Sequence, residues 1–464
     1  MMRMALNPEQ ERLLKRVYQS LADRPLEPGD PFYEPIYQRP EGEDPVAMLK
    51  RRISYSDVES LHLFSGFRGT GKTTELLRLG AELEQQGYLV LYASALEYLS
   101  GSEEVDIVTM LMAVAGAFGE QIEKKTGTAV SKEGFWRRIG NYLSKTTLEV
   151  SELSPKLEIA SPAKSILGEL KAGLDLKVAL KTAPSFRQKL HDFMANRLGE
   201  LKREVNAFTE EGVKAVRDTR GQPGLQVVFL FDQFEQIRGS RTNEQAVIRS
   251  VERLFANYME ALRLPLVHVI YTVPPWLQFV LPGAFSIEIL PCVRLWENDR
   301  QRSRYPAGWR SFREAILKRF TKEGFRRLFG TDTEIGQGMA DKLIAQSGGH
   351  FRDLLRLFRE ATVLVGSWRP TLPMTPEVLQ RAIANVRNEF LPISAADARW
   401  LAEIGKLRNT ALPDSSPENV GRLSRFLDTH LVLYLTNGEG WYDIHPLIRE
   451  QVEALARLPL PPKT

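Results

Sequence analysis

Short apolar runs alternate with longer amphipathic stretches along the N-terminal part of the chain. The runs at 61–64 and 88–92 are separated by a glycine-rich loop and by an amphipathic stretch at 73–85. This order predicts a strand, a helix and a second strand. Further apolar runs predict buried strands at 226–231, 266–272 and 287–290. Because strand, helix, strand units form parallel sheets covered by helices, the pattern predicts an α/β fold.

A long insertion at about 113–220 separates the second and third predicted strands. Amphipathic stretches inside it predict helices at 136–143 and 185–208. Residues 174–182 (LDLKVALKT) largely alternate between apolar and polar positions, which predicts an edge strand or a hairpin. The pattern assigns no task to the insertion.

The remainder of the chain is predicted to form helices followed by a hairpin. After Glu297, helices are predicted at 309–329, 333–347, 351–365 and 376–390, and these suit a helical lid beside the sheet. The tail predicts helices at 395–407 and 417–429, strands at 431–436 and 440–444 joined by Asn437-Gly438, and a last helix from Pro446. Helices followed by a hairpin are typical of a winged helix.

Composition and charge narrow the class of protein. With 464 residues, of which 43% are hydrophobic and 26% charged, the chain can form several soluble globular domains. The net charge of +4 is small, so any attraction for nucleic acid has to come from a local basic surface. The single cysteine, Cys292, excludes an intramolecular disulfide and a zinc site built on several thiolates, which fits a reducing cytosol.

No apolar segment predicts export or a membrane span. The first residues lack the apolar core of a signal peptide, and prolines break the most apolar stretch, 264–293, into short pieces. We therefore expect a cytoplasmic protein. The six histidines show no spacing typical of metal ligands or of a Ser/His/Asp set, so we expect them to have structural roles.

The loop Gly66–Thr73 carries the most specific motif in the chain. Its sequence matches G-x-x-x-x-G-K-[ST], with a predicted strand before it and a helix after it, as a phosphate-binding loop (P-loop) requires. Lys72 is predicted to reach the β- and γ-phosphates of ATP, and the Thr73 hydroxyl to bind Mg²⁺. The candidate nucleotide-binding residues of the loop are Gly66, Arg68, Gly69, Thr70, Gly71, Lys72, Thr73 and Thr74. The flanking elements disfavour a chance glycine-rich turn, whereas Arg68 could lie near phosphate or on the surface.

The strand at 226–231 leads into the acidic residues that an ATPase needs. Asp232 ends this apolar run, which makes it the candidate Walker B ligand of Mg²⁺. Glu235 is the nearest carboxylate that could polarise the attacking water. Alternatively, Glu235 caps a helix or pairs with an arginine.

Two further residues are candidate sensors of the γ-phosphate. Thr272 ends the strand at 266–272, where its hydroxyl could contact phosphate or water, although it could equally be one more strand threonine. Arg352 follows two glycines, in the predicted first turn of a helix, from which a guanidinium can reach the γ-phosphate and couple the lid to the nucleotide. The alternative for Arg352 is a pair with Asp353 or with solvent.

The order SGFRGTGKTTELLRL, VVFLFDQFEQI, SGGHFRDLLRL and a winged-helix-like tail resembles the AAA+/STAND-type P-loop ATPases, including origin-recognition-like and bacterial conflict-system relatives. The resemblance implies an ATP-driven switch with a P-loop sheet, a helical lid and a C-terminal winged-helix-like domain. The corresponding domain boundaries are 1–59 for a lead-in, 60–297 for the ATPase core with its insertion at 113–220, 298–392 for the lid and 393–464 for the winged-helix-like domain.

Two features depart from ring-forming members of this class. Gln233 stands where many AAA+ ATPases carry the catalytic glutamate directly after the aspartate, which suggests slow hydrolysis. The segment 273–290 contains no arginine to act as a finger, and Arg238, Arg241 and Arg263 do not have the expected position. These departures favour a nucleotide-held switch over a ring motor.

Three functions remain open from the sequence. The first is an ATP-binding switch that regulates a separate effector chain, with antiviral defence in bacteria as the setting implied by the resemblance. The second is an initiator-like or transposition-regulator-like ATPase that binds duplex DNA through the segment 300–327, whose basic residues could also form a solvated helix face. The third is a scaffold that binds nucleotide without turnover. The acidic predicted wing at 437–443 favours contact with protein, and the sequence leaves a homo-oligomer open.

Overall fold

The computed structural model describes residues 6–38, 44–127, 134–153, 175–240, 242–281, 283, 286–330, 338–414 and 416–458. The chain divides into two compact units. Unit 1 comprises Met1–Pro45, Gly66–Arg78 and Ile289–Thr464, and unit 2 comprises Val46–Ser65 and Leu79–Glu288. Both units are therefore assembled from separate stretches of the chain.

The main sheet contains the five predicted strands. They are β1 (Ser60–Gly66), β2 (Leu89–Ser94), β3 (Val227–Asp232), β4 (Val267–Val273) and β5 (Ile287–Leu290), in the order β2-β3-β4-β1-β5. The pairs β1 with β4, β2 with β3, and β3 with β4 are parallel. The predicted α/β fold is confirmed. Strands β1 and β3 both flank β4, and Asp232 is the last residue of β3.

Helices make up most of the rest of the described chain. In chain order they are α1 (Pro8–Ser20), α2 (Pro45–Ser54), α3 (Lys72–Gln85), α4 (Ile107–Thr126), α5 (Gly134–Leu153), α6 (Leu176–Thr182), α7 (Pro184–Met194), α8 (Leu198–Arg220), α9 (Glu244–Asn257), α10 (Pro306–Leu317), α11 (Lys322–Phe329), α12 (Met339–Gln346), α13 (Phe351–Ser367), α14 (Pro376–Asn388), α15 (Ala395–Leu407), α16 (Pro417–Asp428) and α17 (Arg449–Ala456). Helices α4 to α8 fill the described part of the predicted insertion.

The strand predicted at 174–182 is wrong. Residue 174 lies outside the described residues, and Leu176–Thr182 form α6 instead. Asp175 caps this helix because its side chain accepts a hydrogen bond from the Val178 amide at 3.1 Å. The buried residues Leu176 and Ala179 lie three positions apart, on one face of a helix. Over so short a segment, alternation of apolar and polar residues does not distinguish the period of a strand from the period of a helix.

Two of the long predicted helices are each broken in two. The stretch 309–329 contains α10 and α11, because the Thr321 hydroxyl caps a new helix by accepting from the Gly324 amide at 3.0 Å. The stretch 185–208 is interrupted between α7 and α8. The first part of the helix predicted at 333–347 lies outside the described residues, and the rest forms α12.

The C-terminal segment of unit 1 has the predicted element order. Helices α15 and α16 precede β6 (Val432–Thr436) and β7 (Gly440–Ile444), which pair antiparallel, and α17 follows. Gly438 in the turn has a φ of +96°, a conformation that glycine adopts without strain. The classification as a winged helix and the four domain boundaries stay predictions.

The core of unit 2 is built around the strands β3 and β4. Every residue of β3 and β4 is buried. Their aromatic side chains pack edge to face, with ring centroids 5.8 Å apart for Phe118 and Phe229 and 6.0 Å apart for Phe231 and Tyr271. This packing fixes the ends of the strands, where Asp232 and Thr272 lie. Among the described residues, no helix has the length and apolar character needed to cross a membrane.

Two histidines of unit 2 meet at Ser60. The Ser60 hydroxyl oxygen lies 2.7 Å from His62 Nε2 and 2.9 Å from His268 Nδ1. Burial, together with the neighbouring His268, lowers the pKa of His62 to about 4, and burial also lowers the pKa of His268. Both imidazoles are therefore neutral in the folded protein near neutral pH.

We expect these histidines to make the free energy of unfolding fall as the pH drops from 6.5 towards about 4. The unfolded chain binds protons at His62 and His268 over this range, whereas the folded chain binds them only at lower pH. Above pH 6.5 both histidines are neutral in the folded and in the unfolded chain, so they no longer make the free energy of unfolding depend on pH. Chemical denaturation at stepped pH measures the slope.

His62→Gln should flatten this slope. The control is His191→Gln, because contact with Asp106 raises the pKa of His191, so that its loss cannot flatten the slope. Identical slopes for wild type and His62→Gln would contradict the assignment.

Candidate functional site

The P-loop Gly66–Thr73 in unit 1 depends on glycine for its shape. Gly69 and Gly71 have φ values of +94° and +98°, which side chains rarely adopt. A Cβ added at Gly71 would meet nothing within 4 Å, so the backbone there borders open space. The loop ends at the N-terminus of α3, and the positive end of a helix favours an anion.

Lys72 lies inside the loop. Its side chain is buried, and Nζ donates to the carbonyl oxygens of Gly66 at 2.9 Å and Phe67 at 3.1 Å. The Thr70 hydroxyl also donates to the Phe67 carbonyl at 2.9 Å. The loop therefore holds a cation in a partly desolvated position, where its attraction for phosphate is strong.

The N-terminal segment of unit 1 contacts the loop and the first turn of α3. The Leu26 amide donates to the Thr74 hydroxyl at 3.0 Å, and the Tyr37 hydroxyl donates to the Thr70 carbonyl at 2.5 Å. The hydroxyl of Thr74, a predicted nucleotide-binding residue, thus accepts a hydrogen bond from the N-terminal segment. These contacts could not be predicted from the sequence, because Leu26 and Tyr37 belong to no motif.

The first turn of α13 also contacts the loop. The Arg352 amide donates to the Gly69 carbonyl at 3.1 Å, and a Cβ added at Gly69 would lie 2.5 Å from Arg352 Cβ. The Arg352 guanidinium donates from Nε to Asp23 at 2.5 Å. Arg352, Arg68 and Asp23 line one open cavity of about 460 Å³. The structure therefore brings the predicted sensor arginine to the P-loop and pairs it with Asp23, which sequence analysis missed.

Three histidines that are scattered in the sequence come together beside the loop. His350, His430 and His445 surround the buried carboxylate of Asp353. His350 Nε2 also lies 2.9 Å from the Arg68 carbonyl oxygen. Sequence spacing could not show this cluster, because His350 directly precedes α13 while the other two flank the C-terminal hairpin.

Asp232 in unit 2 is buried at the end of β3. Its Oδ2 accepts from the Tyr92 hydroxyl at 2.9 Å, and its Oδ1 accepts from the Gln233 amide at 2.7 Å. Burial and the adjacent Asp232 carboxylate raise the pKa of Tyr92, which keeps the hydroxyl protonated as a donor. Tyr92 thus orients the predicted metal ligand, although nothing in the sequence marks it for that role.

Glu235 lies in a short turn that follows Asp232. Gln233 begins this turn with a φ of +66°, and its side-chain oxygen accepts from the Ser94 hydroxyl at 2.8 Å. The buried Thr272 hydroxyl accepts from the Phe234 amide at 3.2 Å. Thr272 therefore holds the turn that carries Glu235, which itself is almost fully buried. The roles of Glu235 and Thr272 in catalysis or sensing stay predictions.

Of the arginines considered as fingers, Arg263 donates from Nε to Glu260 at 2.7 Å, and Arg241 lies outside the described residues. The preference for a switch over a ring motor stays a prediction.

The positive charge of the segment 300–327 is partly neutralised by acidic residues of unit 1. Ion pairs join Arg302 to Asp443, Arg313 to Asp341, Lys318 to Glu34 and Arg327 to Glu9. Arg319 is buried. The segment therefore presents less free positive charge than its sequence indicates, and DNA contact through it stays a prediction.

No protein-family model matches the chain, and no curated protein matches it in sequence. Solved structures that resemble it include a Walker-type ATPase of Pyrococcus abyssi, with 12% identity, a TM-score of 0.36 and coverage of 94% of this chain and 99% of that one. The ADP form of the Aeropyrum pernix ORC2 protein has 11% identity, a TM-score of 0.40 and coverage of 94% and 97%. The Aeropyrum pernix ORC1 protein in complex with DNA has 15% identity, a TM-score of 0.34 and coverage of 94% and 95%. Scores of this size indicate a loose likeness, so the conclusions below rest on the chain's own geometry.

Proposed function

We propose that this chain is a switch that binds ATP with Mg²⁺ at its P-loop and changes the position of its helical lid in response. One observation carries the proposal: the first turn of α13 rests directly on the P-loop, through the Arg352 amide and the Gly69 carbonyl. A group that binds the loop therefore acts on the lid helix without an intermediary.

The residues of the loop fit a nucleotide phosphate. Gly71 borders open space, the amides at the start of α3 favour an anion, and the Lys72 ammonium is already in the loop. On binding, Lys72 exchanges the Gly66 and Phe67 carbonyls for phosphate oxygens, and the Thr73 hydroxyl supplies a ligand to Mg²⁺.

Asp232 and Glu235 are the acidic residues to which we assign metal binding and catalysis. Asp232 is buried and oriented by Tyr92, which suits a fixed oxygen ligand for Mg²⁺. Glu235 accepts a proton from the attacking water, and its displacement from Asp232 by two intervening residues is consistent with slow turnover.

The first test removes the loop cation. Lys72→Ala should weaken ATP binding about 10- to 100-fold, because a charge-assisted contact with phosphate is lost. Titration with a fluorescent ATP analogue in the presence of Mg²⁺ measures the dissociation constant. The control is Lys318→Ala, which removes an exposed lysine paired with Glu34. Unchanged affinity in Lys72→Ala would refute the proposed site.

The second test releases Arg352. Asp23→Asn should tighten ATP binding about two- to fivefold, because the exposed Asp23 carboxylate no longer competes with phosphate for the guanidinium. The matched control is Asp30→Asn, which breaks the pair between Asp30 and Arg24 in the same segment. Equal ATP affinity in both variants would show that Arg352 does not contact the nucleotide.

The third test separates hydrolysis from binding. Glu235→Gln should reduce phosphate release at least about 100-fold while the ATP dissociation constant changes little, because the amide cannot accept the proton. The control Glu104→Gln changes an exposed carboxylate of unit 2. If wild type releases no phosphate, the chain is a nucleotide-binding scaffold without turnover.

In our proposal, the effector activity that the switch regulates is carried by a separate chain. A pull-down with ATP and with ADP should recover a partner in one nucleotide state, and bacterial antiviral defence is the setting in which we would seek it. Recovery of the same proteins in both states would contradict nucleotide control of the partner.

Duplex DNA is the alternative partner. Its proposed surface, 300–327, is partly neutralised by the ion pairs within unit 1. Titration with duplex DNA at two salt concentrations decides, since contacts with phosphate weaken steeply as salt rises.

A further inference from the structure

Asp353 in the first turn of α13 is the centre of a buried polar cluster. Its Oδ2 lies 2.7 Å from His350 Nδ1, 3.2 Å from His430 Nδ1 and 3.4 Å from His445 Nε2. Its Oδ1 accepts from Arg356 Nη1 at 2.8 Å. Asp353, His350 and His445 are fully buried. We call these five residues the Asp353 hub.

The Asp353 carboxylate is surrounded by histidine and arginine nitrogens, whereas His430 Nε2 is buried without a hydrogen-bond partner among the described residues. His445 Nδ1 accepts from the Leu447 amide at 3.3 Å, so its proton lies on Nε2 and faces Asp353. Although burial opposes it, the electrostatic effect of His350 and hydrogen bonds from the three histidines hold the pKa of Asp353 well below its usual range. Burial, with repulsion from His350, lowers the pKa of His430 to about 3, so His430 is neutral. A buried anion with this many donors fixes its neighbours in one arrangement.

The hub reaches the P-loop through His350. His350 Nε2 lies 2.9 Å from the Arg68 carbonyl oxygen while Nδ1 faces Asp353. The next contact along the loop is the Arg352 amide on the Gly69 carbonyl at 3.1 Å. Two consecutive carbonyls of the P-loop are therefore held by the first turn of α13.

The hub reaches the C-terminal hairpin through His430 and His445, which precede β6 and follow β7. The hairpin region and the loop directly before α13 meet without spare room. A Cβ added at Gly348 would lie 2.5 Å from Leu433 Cδ1 and 2.6 Å from Pro446 Cδ. A displacement of the hairpin therefore has to move the start of α13 as well.

We propose that the Asp353 hub transmits the position of the C-terminal hairpin to the Arg68 and Gly69 carbonyls, and so sets the affinity of the P-loop for nucleotide. This inference rests on the proposed function, and it names the regulation of that same loop. A partner that binds the hairpin would then control nucleotide binding, and nucleotide would control that partner in return.

A metal ion is the rival occupant of this cluster. Ligand atoms of His350, Asp353 and His430 lie within 4.8 Å of one another. However, the His350 and His430 rings approach to 3.9 Å between centroids, His445 uses Nδ1 as an acceptor from a backbone amide, and Arg356 pairs with the same carboxylate. Hydrogen bonding accounts for these contacts, whereas two imidazoles on one ion need their rings farther apart.

The test replaces His430 with asparagine. His430 has a φ of +60°, which asparagine tolerates, so His430→Asn removes the imidazole while the backbone is kept. We expect about three- to tenfold weaker binding of ATP and ADP, because the loop carbonyls lose their support. The control is His268→Asn, which removes a buried histidine at the start of β4, far in sequence from the hub. A dissociation constant that is unchanged or lower in His430→Asn would overturn the inference.

A second measurement does not depend on nucleotide. Amide hydrogen exchange at 68–71 should be several-fold faster in His430→Asn and in His445→Asn than in wild type, but not in His268→Asn. Wild type that fails to bind ATP refutes the proposed function alone, whereas unaltered exchange refutes the hub. Stoichiometric zinc in purified wild type would also overturn it, since the histidines would then be ligands.

Discussion

The rest of the site depends on one hydrogen bond, which the Gly69 carbonyl oxygen accepts. It accepts the Arg352 amide at 3.1 Å, at a position where a side chain on residue 69 would collide with Arg352. The glycine is thus needed twice, for the left-handed backbone of the loop and for the approach of α13. Because this contact is made by backbone atoms, the start of α13 follows the shape of the P-loop rather than the conformation of one flexible side chain.

Much of the fold could be predicted from the sequence because its signals are local. All five strands of the main sheet correspond to short apolar runs, and glycines with a lysine identify the P-loop between β1 and α3. The strand predicted at 174–182 was wrong because an apolar period of two resembles an amphipathic helix over so few residues. The breaks at Thr321 and between α7 and α8 were missed because a helix cap requires only one or two residues.

The environment of the candidate site could not be predicted, because it is made of contacts between distant parts of the chain. Asp23 holds Arg352, Tyr92 holds Asp232, and three histidines from two elements hold Asp353. Asp23, Tyr92, His430 and His445 belong to no motif, and hydrogen-bond partners across a fold leave no period in the sequence. The motif residues show where nucleotide chemistry is expected, whereas their partners determine how the candidate groups are oriented.

The buried cysteine makes this chain convenient for spectroscopy. Cys292 is the only cysteine in the sequence, it is fully buried, and burial with the nearby Asp353 raises the pKa of its thiol. A thiol that is both inaccessible and protonated reacts slowly with maleimides and iodoacetamides. One cysteine introduced at an exposed position can therefore carry a fluorophore or spin label in the otherwise natural sequence, and the movement of a chosen helix can be followed with little background.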